Sequence, residues 1–324
     1  MKYKYTPENH LNKHGMKNIK HIVTTSKEYQ VEVEWMITQR CNYECTYCAS
    51  YNNSGDFMFK SLEEYITAFK YLSNHFGNKT IKLSFLGGEP MLYKQWPELV
   101  NYISELNYLP KITTNLSIPV KSYINKLNKN LGKFIVASWH PEYATNEFMN
   151  NVQLLNDNNF IRSVSVSAPQ EYWNEAIDIL KTLKIKYGEK FVHLTRIKDE
   201  NSQGISVTDK LIDYTSEQEK YFTFHRDYPV EIKITDLNNK ITIYDKIDAH
   251  SINFKGMNCA VGKDSIHIAP NGDVYPSACL LNYRKARMGN IYRQDIIKPS
   301  NSIRCPFVAC YCGPDQRIEK WAQV

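Results

Sequence analysis

No run of about 18 apolar residues exists anywhere in the 324-residue chain, so no segment of it reads as a membrane-spanning helix. The opening stretch MKYKYTPENHLNKHG lacks the apolar core of a secretion signal. These two absences lead us to expect a cytoplasmic protein. An excess of one charge is missing too: 40 Lys and Arg face 34 Asp and Glu, a net charge of +6, and the lysines are scattered. No dense basic stripe interleaved with aromatics is seen, which gives a nucleic-acid partner little support. Cysteine is absent from the 210 residues between Cys48 and Cys259.

What is present is a 42% hydrophobic, 13% aromatic chain, long enough for one large domain plus a small one. Its eight cysteines fall into two groups, three at 41–48 and five at 259–312. Disulfides are rare where the thiol pool is kept reduced, and close-set cysteines there more often bind metal. Two metal sites, from opposite parts of the chain, are therefore expected.

The first 200 residues alternate in pattern. YQVEVEWMIT (29–38) is rich in β-branched and aromatic residues and reads as a strand running into Cys41. SLEEYITAFKYLSNHFG opens with a Ser61/Glu64 capping box, carries Leu62, Tyr65, Ile66, Phe69, Leu72 and Phe76 at helical spacing, and stops at Gly77. Strands are then expected at 81–86, 111–115, 133–138, 162–167 and 191–196. The intervening helices are expected at 96–109 (with Pro97 in the first turn), 120–128, 147–156 and 171–188. Six βα units in a row imply a parallel sheet with helices outside. The expected class is α/β, a partial (β/α)6 barrel with a small C-terminal β-hairpin and cysteine-rich region. Chemistry in such folds sits at the C-terminal ends of strands, and Cys41, Cys45 and Cys48 lie just past the end of strand one.

Structural zinc takes four closed ligands, and a 4Fe-4S cube normally takes four cysteines. CxxxCxxC supplies three and leaves one metal position open. With its aromatic Tyr47 before the last cysteine, CNYECTYC resembles the loop after the first strand of the radical S-adenosylmethionine (SAM) superfamily. That resemblance implies a 4Fe-4S cluster on the three cysteines, with SAM chelating the fourth iron. Electron transfer would then cleave SAM to methionine and a 5'-deoxyadenosyl radical, which abstracts hydrogen from a substrate. FLGGEP (85–90) resembles the superfamily's GGEP-like motif, which holds the SAM methionyl ammonium. Gly87 and Gly88 allow close backbone approach, and backbone carbonyls with the Glu89 carboxylate, ahead of Pro90, would accept hydrogen bonds from that cation.

Other strand ends carry Thr114, Asn115, Ser138, Ser165, Ser167 and Arg196. The resemblance implies that Thr114, Asn115, Ser138 and Ser165 contact SAM. The residues alone allow helix caps and satisfied strand ends equally. His140 could face the substrate or donate a proton, and a structural role is its alternative.

In the tail, DSIHIA and DVYPSA are joined by Pro270-Asn271-Gly272-Asp273, a strong hairpin signal expected to bring Cys259 and Cys279 together. CPFVACYCGPD adds Cys305, Cys310 and Cys312. This region resembles the SPASM/twitch extension of radical SAM enzymes, which holds auxiliary Fe-S clusters. Five cysteines rather than seven, ending in CxxxxCxC, favour one auxiliary 4Fe-4S cluster on Cys259, Cys279 and two of Cys305, Cys310 and Cys312. A zinc ribbon is the alternative.

Between the two regions, YTSEQEKYF reads as a short helix with a Ser216/Glu219 capping box, and 230–248 as a hairpin across Leu237-Asn238-Asn239. Asp213, Asp236, Asp245 and Asp248 include no base that the sequence singles out. The expected division is an N-terminal extension at 1–28, the barrel at 29–198, a bridging segment at 199–252 and the auxiliary-cluster region at 253–324. Only some 30 residues precede strand one, so an N-terminal peptide-recognition domain is not expected. The resemblance implies a flavodoxin or ferredoxin reductant and a peptide or small-molecule substrate. A nucleic-acid-modifying enzyme and a non-catalytic Fe-S or zinc protein are the rivals, and the latter has no need of GGEP.

Overall fold

The computed structural model describes residues 19–24, 28–48, 59–197, 214–222, 232–244, 254–281, 284–306, 310 and 318–322. Six parallel strands follow one another in chain order: β2 (Val31–Thr38), β3 (Ile81–Gly87), β4 (Tyr108–Thr114), β5 (Ile135–Trp139), β6 (Ile161–Ser167) and β7 (Val192–Thr195). Four crossovers carry α-helices: α1 (Leu62–Phe76), α2 (Trp96–Ile103), α3 (Asn146–Asp157) and α4 (Trp173–Tyr187). The expected Ser61/Glu64 capping box starts α1, and Gly77 ends it at φ 66°.

Two expected helices differ. Residues 120–128 form separate 3-10 turns, Val120–Ser122 and Ile124–Lys126, rather than an α-helix. Pro119 offers no side-chain cap, Tyr123 leaves helical geometry at φ −134°, and the Asn101 side chain takes the Lys126 carbonyl at 2.7 Å. Helix α2 ends at Ile103 because Tyr108, Leu109 and Pro110 are drawn into β4, where Tyr108 pairs with Ile81.

Paired residues in parallel strands point to the same side of the sheet. Val31, Val33, Trp35 and Ile37 of β2 face the helices, and Trp35 meets Tyr65 and Phe69 of α1 edge-on at 5.8 and 5.6 Å between centroids. Each fully buried aliphatic chain in this layer is worth about 1.5–3 kcal/mol. The opposite face is polar. Glu34 is in register with Ser84, Ser84 with Lys111, Ser138 with Ser165, Ser165 with His193, and Ser167 with Thr195. Deepest on that face is a buried ion pair, Lys82 Nζ to Glu32 Oε1 at 2.9 Å, which also receives the Tyr29 hydroxyl on Glu32 Oε2 at 3.0 Å.

The tail hairpin forms as its turn predicts, β11 (Ser265–Ile268) against β12 (Asp273–Tyr275). It joins the edge of the large sheet, with β11 parallel to β2 and β12 leading to β13 (Gly289–Asn290). A second sheet has the order β14-β10-β15-β1-β8-β9. It unites β1 (Ile19–Thr24), the hairpin β8 (Ile232–Asp236)/β9 (Ile241–Tyr244) and the short strands β10 (Asn258–Cys259), β14 (Ile303–Arg304) and β15 (Lys320–Trp321). The N-terminal extension therefore contributes a strand that sequence reading missed.

The short helix α5 (Ser216–Glu219) has its capping box one residue earlier than expected, on Thr215 and Gln218. Glu219 is thereby released to hold both terminal nitrogens of Arg196, which also lies 4.2 Å over the Phe222 ring. Arg196 is thus committed to packing. Asp236 closes the β8/β9 turn by accepting from the Asn238 and Lys240 amides. Asp213, Asp245 and Asp248 lie outside the described residues.

Candidate functional site

At the C-terminal ends of β2–β5 lies a cavity of about 170 Å³. Cys41, Cys45 and Cys48 line it together with Gly87, Gly88, Thr114, Asn115 and Ser138. Residues from four separate stretches of sequence thus meet in one space. Tyr43, Leu86 and Thr113 also line it, and so does His140. Tyr43 had no marker beyond its place inside the cysteine loop. Leu86 and Thr113 follow from strand alternation, since they share the polar-face parity of Ser84 and Lys111.

The diglycine fits the loop to the sheet. A Cβ on Gly88 would stand 2.0 Å from the Arg40 carbonyl oxygen and 3.0 Å from the Cys41 amide nitrogen; one on Gly87 would stand 2.0 Å from the Thr38 oxygen. Gly87 also takes φ 129°, a conformation that side chains rarely adopt. In this close contact the Gly88 amide donates to the Thr38 carbonyl at 2.9 Å and the Glu89 amide to that of Arg40 at 2.7 Å.

Glu89 is turned away from the cavity. Its carboxylate is buried and accepts from the Met91 amide at 2.8 Å, the Thr114 hydroxyl at 2.8 Å and the Asn115 amide at 2.7 Å. Burial raises its pKa to about 7 against the pull of those donors. Both oxygens are therefore engaged inside the protein, and Glu89 ties the end of β4 to the turn after β3. Pro90 is likewise buried, at the start of a 3-10 turn. Ser165 also stands off the lining, its hydroxyl bonded to that of Thr195.

Cys41 is held from the β4 side. Asn115 Nδ2 lies 3.8 Å from its sulfur and 3.2 Å from Asn42 Oδ1, and the Tyr43 amide donates to the same sulfur at 3.4 Å. Burial raises the thiol pKa of Cys41 and pushes that of Cys45 up to about 12. These thiols are protonated at neutral pH in the absence of metal, and metal binding must release their protons. Three thiols on one wall, with polar groups and closely approached backbone on the others, fit a cluster that leaves one metal position for an N,O-chelating ligand.

The family model for the Radical SAM superfamily matches residues 35–201, just over half of the chain. The chain belongs to the radical SAM superfamily. Radical SAM enzymes use a 4Fe-4S cluster and SAM, and the residues around the cavity suit both. Among curated relatives, Fe-coproporphyrin III synthase of Methanosarcina barkeri is 33% identical over 34% of this chain and 27% of its own length. An S-adenosylmethionine-dependent nucleotide dehydratase of Selenomonas ruminantium is 31% identical over 27% of this chain and 30% of its own. A probable GTP 3',8-cyclase of Saccharolobus solfataricus is 31% identical over 28% and 29%. The matches span less than a third of these relatives.

Two solved structures share the fold. Native anSMEcpe with bound AdoMet gives a TM-score of 0.52 at 17% identity, over 81% of this chain and 78% of that one. Streptococcus suis SuiB bound to precursor peptide SuiA gives 0.54 at 16% identity, over 89% and 66%.

The second cysteine group lies elsewhere. Cys259 is buried on β10, alongside Ile303 of β14 and Lys320 of β15. Two backbone bonds of 2.8 Å, Cys305 N–H to Met257 O and Gly256 N–H to Cys305 O, bring Cys305 beside that strand. Cys305 and Cys310 pack against Ile22, Ile232, Phe254 and Met257. Cys279 instead sits in the 3-10 turn Ala278–Leu280 after the hairpin, its sulfur 2.9 Å from the Ser277 hydroxyl. Sheet pairing thus sets Cys259 opposite Ile303 and Cys305 opposite Met257, two residues apart along the same strand pair. Cys312 lies outside the described residues. Among the described residues, in the cysteine loop as in the tail, no three His, Cys, Asp or Glu side chains converge on one metal ion, whereas the cysteines of a 4Fe-4S cube each bind a separate iron.

Proposed function

We propose that Cys41, Cys45 and Cys48 ligate a 4Fe-4S cluster, that SAM completes it, and that the enzyme abstracts hydrogen from a peptide or small polar substrate. The shared cavity carries this reading: three thiols, a diglycine edge and polar strand ends open onto one space. Cluster and SAM, when bound, supply a 5'-deoxyadenosyl radical. The chain gathers the three sulfurs at the cavity, Cys41 and Cys45 half-buried and Cys48 exposed, presents the backbone of Gly87 and Gly88, and offers the side chains of Thr114, Asn115 and Ser138 to the SAM polar groups. Glu89 acts one step removed, through the position of Thr114 and Asn115. No helix among the described residues is long and apolar enough to cross a membrane.

The parallel run β2–β7 is read as three-quarters of an eight-stranded barrel, with its polar face toward the substrate. Glu34, Lys111, Ser165 and His193 on that face favour a substrate with hydrogen-bonding groups next to the reacting carbon. We read residues 253–324 as an auxiliary-cluster region, and Cys259, Cys279, Cys305, Cys310 and Cys312 as the pool of ligands for one further 4Fe-4S cluster. That cluster would accept an electron from a substrate radical or bind the substrate. A flavodoxin or ferredoxin is the proposed reductant, and the cytoplasm the proposed compartment.

Iron per chain after anaerobic reconstitution tests both parts. At four irons per cube, the wild type should hold about eight and a Cys41→Ala/Cys45→Ala/Cys48→Ala variant about four. About four falling to none would remove the auxiliary cluster from the reading. Iron unaffected by the triple substitution would overturn the reading itself, as would failure of cluster-replete protein to form 5'-deoxyadenosine from SAM under dithionite.

A further inference from the structure

Five consecutive residues of the cysteine loop touch one short segment after β5, residues 140–143. The Tyr43 ring stacks on Tyr143 at 4.5 Å and 12°. The Glu44 amide donates to the Tyr143 hydroxyl at 3.1 Å. The Cys45 sulfur lies 3.6 Å from His140 Nδ1. Thr46 donates to Glu142 twice, through its amide at 3.0 Å and its hydroxyl at 2.5 Å. The Tyr47 hydroxyl stands 3.1 Å from His140 Nδ1, and the two rings lie 10° from parallel. The loop has no regular hydrogen-bonded structure of its own beyond the Cys48–Cys45 turn. Its shape is therefore imposed from outside: the diglycine and Asn115 hold its Cys41 end, and residues 140–143 are the template for Tyr43 to Tyr47.

Within this contact, one sulfur is singled out. The Tyr47 hydroxyl lies within interaction range of the Cys45 sulfur and of Ser167. Cys45 thus has two side-chain donors in range, Tyr47 O–H and His140 Nδ1–H. A neutral imidazole has a single N–H to place, and Nδ1 is the His140 nitrogen that lies within reach of both Cys45 and Tyr47. A thiolate on iron is an acceptor only, and it favours the tautomer with that proton on Nδ1. Hydrogen bonds to cluster sulfurs and solvent exposure set the reduction potential of an Fe-S centre. Donors stabilise the reduced, more negative form.

We propose that residues 140–143 are a positioning segment for the cluster loop, and that Tyr47 and His140 raise the potential of the cluster by donating to the Cys45 thiolate. This rests on the assignment of a 4Fe-4S cluster to Cys41, Cys45 and Cys48. Neither residue need touch substrate for this role. Both work through Cys45, so their effects are coupled.

The experiment is an EPR-monitored redox titration of anaerobically reconstituted protein, with dithionite as the one-electron reductant and iron quantified on the same samples. Tyr47→Phe and His140→Phe keep the rings and lose the donors. Each should retain the wild-type iron content and titrate at a more negative potential, and the double variant should shift by an amount different from the sum. His140→Gln, which keeps an N–H, should recover part of the shift. Glu142→Gln, which weakens the Thr46 anchor without touching Cys45, should slow reconstitution and leave the potential of the loaded cluster near wild type. Unchanged potentials in Tyr47→Phe and His140→Phe at full iron content would overturn the proposal. So would a shift in His140→Phe that His140→Gln reproduces in full, because ring replacement would then be its cause. Iron content indifferent to Cys41, Cys45 and Cys48 would instead overturn the cluster assignment.

Discussion

The carboxylate of Glu89 accepts the backbone amide of Asn115 at 2.7 Å, across 26 residues of sequence. Through that bond, and its companion from Thr114, the turn after β3 and the end of β4 move as one piece. Both termini of the cavity wall are fixed by a side chain that does not face the cavity.

Glu89 should make stability depend on pH. Its folded pKa is raised to about 7 from an ordinary 4.5, so the native state binds the proton more tightly than the unfolded chain. The associated stabilisation is complete below about pH 4.5 and is lost as pH rises through 7. Urea unfolding of metal-free protein at pH 5 and pH 7.5, wild type against Glu89→Gln, isolates the effect. The wild type should lose roughly 1–3 kcal/mol relative to the variant between the two pH values. An identical slope in both proteins would show that Glu89 does not titrate there.

Gly88→Ala should damage the cysteine loop specifically. The added methyl meets Arg40 carbonyl oxygen at 2.0 Å, and backbone cannot rotate aside as a side chain can. Overpacking of this kind costs about 1–3 kcal/mol, and the loop must shift to relieve it. We expect reduced iron incorporation and a lower Tm, measured by iron analysis and thermal melting. Full iron content would mean that the loop and the diglycine separate when the cluster binds.

The Lys82–Glu32 pair gives a prediction independent of cofactor. Both side chains are 1% exposed, so removing one partner strands the other charge. Lys82→Met should cost about 3–5 kcal/mol, whereas Lys82→Met with Glu32→Leu should recover most of it, since a buried pair is often replaceable by apolar residues. Denaturant midpoints of the two variants check this. Equal loss in both would assign the pair a packing role beyond charge.

Much of this architecture was legible in the sequence because it depended on local signals. Ser61, Glu64 and Gly77 mark both ends of α1, and the Asn271-Gly272 turn marks the tail hairpin. The cavity was legible through its cysteines and diglycine, whose chemistry is specific. What escaped depended on partners far away in sequence. Tyr108 joins a strand because Ile81 is beside it, and β10 and β14, though only two residues long, pair because the chain returns there. Glu89 looked like a ligand-facing acid; only the positions of Thr114 and Asn115 show that it faces inward. The residues following Ser138 looked like an isolated histidine before a proline, and their meaning lies in the loop 95 residues earlier.

The pairing of His21 with Trp321 has a consequence for biosynthesis. Strand β1 leaves the ribosome ahead of the large sheet, and its neighbour β15 emerges 300 residues later. The large parallel sheet can acquire β2–β7 while translation continues, but the second sheet cannot close until β15 has emerged. Pairings of such separation are slow to form. Residues 41–48 thus stand at the end of a formed strand well before Cys259 and Ile303 can pair, and the two cysteine groups take their places in a fixed order.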